Sequence, residues 1–514
     1  MIKRSLLLTL CGFFVLSIQA QLPEDALRAS NTFGAGTARE QAIGGAMGSI
    51  GGDLSANFVN PAGLGFYKTG DLILSPGYSF GHTNTNYLST YSKNPSVSNF
   101  LLGTTGAVYG RGDETSSLAV SLAVNQSANY NGHISYQGSN NYSSGAEAYA
   151  EEFTASGLSV DDVFRDPGIS YGTRMALYTY LIDTSSGPQG PVIVQPRNVL
   201  NAGGSLGQTT DITTSGGITE YAIGVAGSTK DKWYIGVSVG IPVINFQQTT
   251  QYTEKDLSGN KNNDFDSYTY TEYYSSKGVG VNGRIGLIFR PNLNWRIGWT
   301  VTTPTFYNIT DRVSANMVTN TEGYAGKRMV NSDTLDQIAF AGNSFQYDLQ
   351  SAWKMLISGS YVFPGQVTEG TMGFITADIE YVANKSARFS FPLDANGNQP
   401  DNTYFEPLNN TVKSYYNNTF NFRLGGEYKV DEIAYRLGGS YSMDPYSSAQ
   451  LSANRMTFSG GVGYRKKGII IDLTYVEAIS NDVNFPYRLG EKENIYSTVK
   501  QYTGNIILSF GIKF

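Results

Sequence analysis

Charged residues recur at alternate positions of segments that otherwise read as strands: Arg284, Asp378, Glu380, Arg423, Glu427, Arg436 and Asp472. Alternation sends them to one face of a sheet. In a low-dielectric cavity a guanidinium can grip a ligand carboxylate through two parallel hydrogen bonds, so Arg284, Arg423 and Arg436 are candidate ligand-binding residues. The same arginines can instead pair with neighbouring carboxylates and brace the sheet, and the sequence leaves both roles open. The two histidines, His82 and His133, lack metal-ligand spacing, and no nucleophile motif accompanies them. Catalysis and a metal centre therefore find no support, and no cofactor is expected. A single His or Tyr can ligate haem iron, which keeps a haem-binding receptor among the alternatives. A formal net charge of −6 gives no footing for nucleic acid.

The segments that carry these residues alternate strictly. Trp233, Ile235, Val237, Val239 and Ile241 oppose Tyr234, Gly236, Ser238 and Gly240. Trp295, Ile297, Trp299 and Val301 oppose Arg296, Gly298, Thr300 and Thr302. Phe422, Leu424 and Tyr428 oppose Arg423, Gly425 and Glu427; Met456, Phe458, Val462 and Tyr464 oppose Arg455, Thr457, Ser459 and Arg465. Period two with one greasy face is the signature of a strand between lipid and a lumen. Charged residues make up 15% of the chain, below the roughly 25% of globular domains. No stretch after the N-terminus has 18 consecutive apolar residues, so helical spans are not expected. About 14 segments, joined alternately by short and long connections, predict an all-β fold, a 14-stranded antiparallel transmembrane β-barrel over 71–514. A long extracellular loop is expected at about 130–218. The terminal strand ends on Phe514, like a signal to the barrel assembly machinery.

Ahead of the strands, residues 1–20 read as a signal peptide: Lys3 and Arg4, an apolar run from Leu6 to Ile18, and a small residue at Ala20. The one cysteine, Cys11, lies inside it, so the mature chain has no disulfide to hold it. Residues 21–70 then form an N-terminal hatch. Its core, Asn31 to Leu64, is dense in glycine and small residues. Such a stretch cannot build a core of its own, but it can pack close against other backbone. Gly44, Gly45 and Gly48 are candidate gate residues, or simply tight packing points. Asn60, Pro61 and Ala62 mark the junction with the barrel, because Pro fixes φ and Asn favours turns.

Within the long loop, Ala146 to Phe153 and Ser159 to Phe164 have helical composition. The apolar run Met175 to Ile182 follows. Leu177, Tyr178 and Leu181 either pack that loop against its neighbours or offer a greasy docking surface for an apolar ligand.

The run Ala38-Arg39-Glu40-Gln41-Ala42-Ile43-Gly44-Gly45-Ala46-Met47, with Asp53 and Asn60-Pro61-Ala62-Gly63-Leu64, resembles the start of the long-chain fatty acid transporter family, which includes channels for toluene-like aromatics. Gly286-Leu287-Ile288-Phe289-Arg290-Pro291-Asn292 and Arg436-Leu437-Gly438-Gly439-Ser440-Tyr441 extend the resemblance in order. It implies a 14-stranded barrel closed by a hatch in the lumen of a Gram-negative outer membrane. It also implies passive uptake of hydrophobic small molecules, a hatch that shifts, and ligand exit sideways through the wall into outer-membrane lipid. A monomer is expected. A barrel of this type acting as a surface scaffold or a secretion-machine partner is the other reading, and an aqueous porin a third.

Overall fold

A strand that is apolar on every second residue must find a partner for each edge, and in lipid it must find both. The computed structural model describes residues 22–514, other than 32, 114, 167, 186, 188–189, 340–343, 364–371, 395 and 449–450. The signal peptide expected at 1–20 lies outside the described residues. The sheet solves the edge problem by closing on itself.

Fourteen staves run antiparallel around the wall. They are β1 (Gly70–Leu74 and Pro76–Tyr87), β2 (Val97–Leu102 and Thr105–Gly112), β3 (Ser117–Asn129 and Gly132–Asn140), β4 (Leu206–Thr229), β5 (Trp233–Asp256), β6 (Ser267–Phe289) and β7 (Trp295–Thr302 and Phe306–Asn320). Then follow β8 (Ser344–Gln350 and Trp353–Phe363), β9 (Met372–Ala383 and Arg388–Ser390), β10 (Thr419–Val430), β11 (Ile433–Ser442), β12 (Arg455–Lys466), β13 (Ile469–Asn484) and β14 (Ser497–Lys513). Closure comes from β14, which pairs with β13 on one side and β1 on the other, as in Leu72↔Ile512 and Tyr78↔Ile506. The expected outward residues point outward: Ile235, Val239, Ile285, Leu424 and Phe458 are all exposed, and Leu437 reaches 75%. That apolar belt marks a barrel that faces hydrocarbon.

The long loop is shorter than expected. Residues 132–140 and 206–218 continue β3 and β4 above the belt, paired as in His133↔Thr213 and Tyr136↔Thr210, so the excursion covers 141–205. The Thr/Ser/Gly-rich composition hid these strand ends, although β-branched Thr is at home in a sheet. Inside the excursion lie four helices, numbered after the two of the hatch: α3 (Ala146–Ser156), α4 (Val160–Val163, capped by Ser159), α5 (Tyr171–Tyr178) and α6 (Pro196–Asn201). Met175, Ala176, Leu177, Leu181 and Ile182 are buried against Tyr252, Tyr268, Met317 and Leu335. The apolar run thus builds the loop's own core over the barrel mouth, and Tyr178 and Tyr180 are the members left exposed.

Candidate functional site

The hatch fills the lumen below that cap. Its first helix, α1 (Pro23–Ser30), lies high in the barrel, with the Arg28 guanidinium paired to Asp25 and 3.7 Å from the Phe246 ring centre. The second, α2 (Ala38–Ala42), is capped by Thr37, whose hydroxyl also donates to Asp53 at 2.9 Å. Asp53 and Asn60 cap the short helices 54–57 and 61–66 in turn. Small polar caps therefore start α2 and the two short helices after it, because short turns leave backbone N–H groups that need partners.

Hydroxyls of the wall hold the hatch backbone. Ala38 N donates to Ser509 Oγ (2.8 Å), Thr474 Oγ1 to the Ala38 carbonyl (2.5 Å), and Ser459 Oγ to the Ala42 carbonyl (3.1 Å). Gly48 N donates to Asp378 (3.1 Å), and Arg296 donates to the Ile50 carbonyl (2.6 Å). Asn60 Nδ2 reaches the Gly48 carbonyl at 2.6 Å and the Leu287 carbonyl at 3.3 Å.

Wall glycines make room for this. Gly425 and Gly438 face each other across β10 and β11, and Gly236 and Gly286 across β5 and β6. A Cβ on Gly425 or Gly438 would overlap the backbone of Ile43 and Gly44; on Gly236 or Gly286 it would overlap Asn60 and Pro61. The two pairs are flat seats for the two ends of the hatch. Gly44 and Gly45 have φ of +68° and +77°, so the turn after α2 specifically suits glycine. Gly48 packs on Leu356 and Ser358, and Pro61 and Ala62 are buried on β5. The candidate gate residues thus sit where the hatch meets the wall.

The three candidate arginines are all engaged. Arg284 pairs with Glu220 (2.8 Å), Arg423 with Glu380 (2.5 Å), and Arg436 with both Glu427 and Asp472 (2.6 Å each). Glu427 also takes Arg39 of the hatch at 3.4 Å, tying hatch to wall. Here the bracing role is the one the geometry displays.

Within the hatch, burial raises the Glu40 carboxyl to about 8, and nearby Asp53 adds to the rise. A docked hatch therefore holds Glu40 protonated, whereas a released one returns it toward 4.5. Docking is strongest below the released value, weakens as pH rises from there to about 8, and is flat beyond. Hydrogen exchange of residues 38–50 should show protection falling over that window, and Glu40→Gln should flatten the profile. An unaltered profile in the variant would refute the assignment.

Sequence reasoning did not anticipate a break in the wall. β2 and β3 pair only through 105–112 and 117–124; among the described residues no ladder joins 97–102 to 125–140. The register shifts at Ile218/Thr219 opposite Ser127, a bulge that turns β3 away. Side chains span the gap, with Leu102 N to Gln126 Oε1 at 3.2 Å and Asn129 Nδ2 to Asn99 Oδ1 at 3.3 Å. The hatch fills the lower part: Ala35 N donates to the Gln126 carbonyl and Thr104 N to the Gly36 carbonyl, both 2.9 Å. A cavity of about 160 Å³ opens beside the gap, lined by Val97, Asn99, Gln126, Asn129 and both histidines. His133 is held by Asp211 at 2.8 Å, and His82 stacks on Tyr502. A second cavity of about 190 Å³ lies beyond Arg455, toward β10 and β11.

These features define a transmembrane β-barrel closed by its own N-terminal segment, with lumen cavities beside an interrupted wall. No protein-family model and no curated protein sequence matches the chain. Among solved structures it is similar to a Pseudomonas aeruginosa FadL homologue, at a TM-score of 0.54 and 13% identity over 94% of this chain and 99% of that one. The Ralstonia pickettii toluene transporter TbuX gives a TM-score of 0.48 and 14% identity, over 93% and 99% of the two chains. The P. putida toluene transporter TodX gives 0.48 and 12%, over 94% and 99%. The first likeness establishes the fold.

Proposed function

We propose that the protein is an outer-membrane channel for hydrophobic small molecules, long-chain fatty acids or aromatics, gated by its N-terminal hatch. The observation that carries this reading is the gap between β2 and β3, filled by residues 35–36 and opening on a cavity. An apolar solute gains about 25 cal/mol for each Å² it keeps from water, so an aqueous bore would serve it poorly. A side passage from a closed lumen into lipid would spare it that exposure. The likeness in fold to a FadL homologue, over 94% of this chain, supports the reading. Release of the hatch beyond Thr37 from its contacts with the wall would open the lumen beside the gap.

A covalent lock tests this. Ala38 N lies 2.8 Å from Ser509 Oγ, so cysteines at these two positions are the pair to oxidise, and the only native cysteine is Cys11. Liposomes carrying the oxidised double variant should take up labelled oleate no faster than protein-free liposomes, and reductant should restore uptake. Equal uptake by the locked and reduced forms would sink the moving hatch. No uptake by the unaltered protein, for oleate or for toluene, would favour a surface scaffold.

A further inference from the structure

We propose that Lys93 and Lys500, on the lipid-facing surface of the wall, seat the phosphate of an outer-leaflet glycolipid. The site lies outside the bore and takes a resident lipid, so it stands or falls apart from the channel reading. Its height follows from β14. The residues of that strand that face outward climb from Ile512 through Phe510 and Ile506 to Tyr502, with Lys500 next. The ten residues from Ile512 to Tyr502 measure about 34 Å along the strand. At a tilt of about 40° they climb about 26 Å, which matches the apolar band of such barrels, about 25 Å tall. Tyr502 therefore stands at the outer edge of the hydrocarbon, and Lys500 one rung beyond it. The neighbouring strands agree. Phe100, Tyr78, Ile506 and Tyr475 share one row two rungs below Tyr502, and their exposed rings make an aromatic girdle there.

Above the girdle the surface turns cationic. Asn84 of β1 pairs with Lys500 on one side and with Lys93, in the short strand Thr90–Lys93, on the other. The two lysines thus flank Asn84 on a single row, and both are exposed. Two strand spacings set their Cα atoms about 10 Å apart, within the joint reach of two long flexible stems. Neither lysine makes an ion pair with a described residue. The Lys500 ammonium lies 5.3 Å from the Tyr502 ring centre, and Tyr502 stacks on His82 at 5.2 Å and 13°. A cation on an aromatic face keeps its other N–H donors free for an anion. The nearby carboxylates are turned elsewhere. Glu477 sits two rungs lower, opposite Gly504, and accepts the Tyr475 hydroxyl; Asp482 borders a lumen cavity. Lysine is a compact point charge suited to phosphate. A lipid whose phosphate rests on this row lays its acyl chains against the girdle below. One rung above the lysines, Asn86, Tyr91 and Thr498 share a row and offer amide and hydroxyl groups. Those are partners for the hydroxyls of a sugar, and a small phospholipid headgroup would leave them to water.

The test uses the full chain in neutral detergent, with bound lipid read by native mass spectrometry. The probes are lipid A carrying both phosphates, the same acylated disaccharide with its phosphates removed, phosphatidylglycerol, and inorganic phosphate. The phosphorylated glycolipid should bind about tenfold or more tightly than its phosphate-free form, the worth of one charge-assisted contact. It should also outbind phosphatidylglycerol, and inorganic phosphate at the same concentration should not displace it. Salt at about 0.5 M should shrink the preference, because the row is exposed. Lys93→Ser with Lys500→Ser should bring the phosphorylated lipid down to the phosphate-free level, and Lys93→Arg with Lys500→Arg should keep the preference. Lys261→Ser with Lys413→Ser, at exposed positions of the outer loops, removes the same charge and should change nothing. Heat-modifiable gel mobility reports whether each variant is folded, and the lipid comparison on the unaltered protein stands whatever the variants do. Equal binding with and without phosphate, a preference that survives the serine pair, an equal loss in the loop control, phosphatidylglycerol binding as tightly as lipid A, or no lipid retained at all would overturn the seat.

Discussion

Gly438→Val should unseat the hatch and leave a folded, leaky barrel. The Cβ at 438 would overlap the backbone of Ile43 and Gly44, and the facing position, Gly425, is already closed by Ile43. Overpacking a yielding core costs about 1–3 kcal/mol. Here backbone presses on backbone, and no side chain can rotate away, so the hatch must move as a piece. The expected result is entry of a small polar dye into liposomes carrying Gly438→Val, against none for the unaltered protein. Gly359→Val is the matched control, since that glycine faces outward with nothing within 4 Å. If Gly438→Val stays as tight as Gly359→Val, the glycine seats do not position the hatch.

Arg436→Met should produce the largest loss of barrel stability. Arg436 is fully buried and bonds Glu427 through Nε and Asp472 through Nη1. Removing it leaves two carboxylates in the lumen, with Arg39 at 3.4 Å from Glu427 and Arg465 at 3.9 Å from Asp472 as distant substitutes. Breaking a buried ion pair from one side costs on the order of 3–5 kcal/mol. Urea unfolding in detergent, followed by gel mobility, should show a midpoint lowered accordingly. Adding Glu427→Gln and Asp472→Asn should recover most of it, because no uncompensated charge then remains. A midpoint unchanged by Arg436→Met would mean the network does not brace the wall.

The belt was legible because period two needs no knowledge of neighbours: Trp233 to Ile241 declare their outward face in nine residues. The hatch was legible from composition, and the bend at Asn60 from its turn chemistry. What stayed hidden depends on register between distant strands. Gly236 and Gly438 were visible on their strands, but a glycine in a strand does not say whether it admits a bulge or a visitor. Arg436 and Arg455 read alike in sequence, each inward and each amid small residues. Only the pairing of Arg436 with Gly461, one residue pair from Gly463↔Asp472, reveals that one is satisfied, and the lumen that the other lies on the Phe33 ring. The gap between β2 and β3 is a missing ladder, which no local pattern announces.

Residues 35–36 have a second consequence, for how the hatch can travel. Their amide and carbonyl complete rungs that β2 and β3 fail to supply to each other. Pulled away, they would leave Thr104 N–H and the Gln126 carbonyl bare at membrane depth, where no water replaces the lost bonds. The rest of the hatch, held by hydroxyl and charged side chains of the wall, has no such debt to the bilayer. The segment is therefore divided into a splice that belongs to the wall and a stopper that belongs to the bore. Motion that begins beyond Thr37 costs the least, with the splice as its hinge.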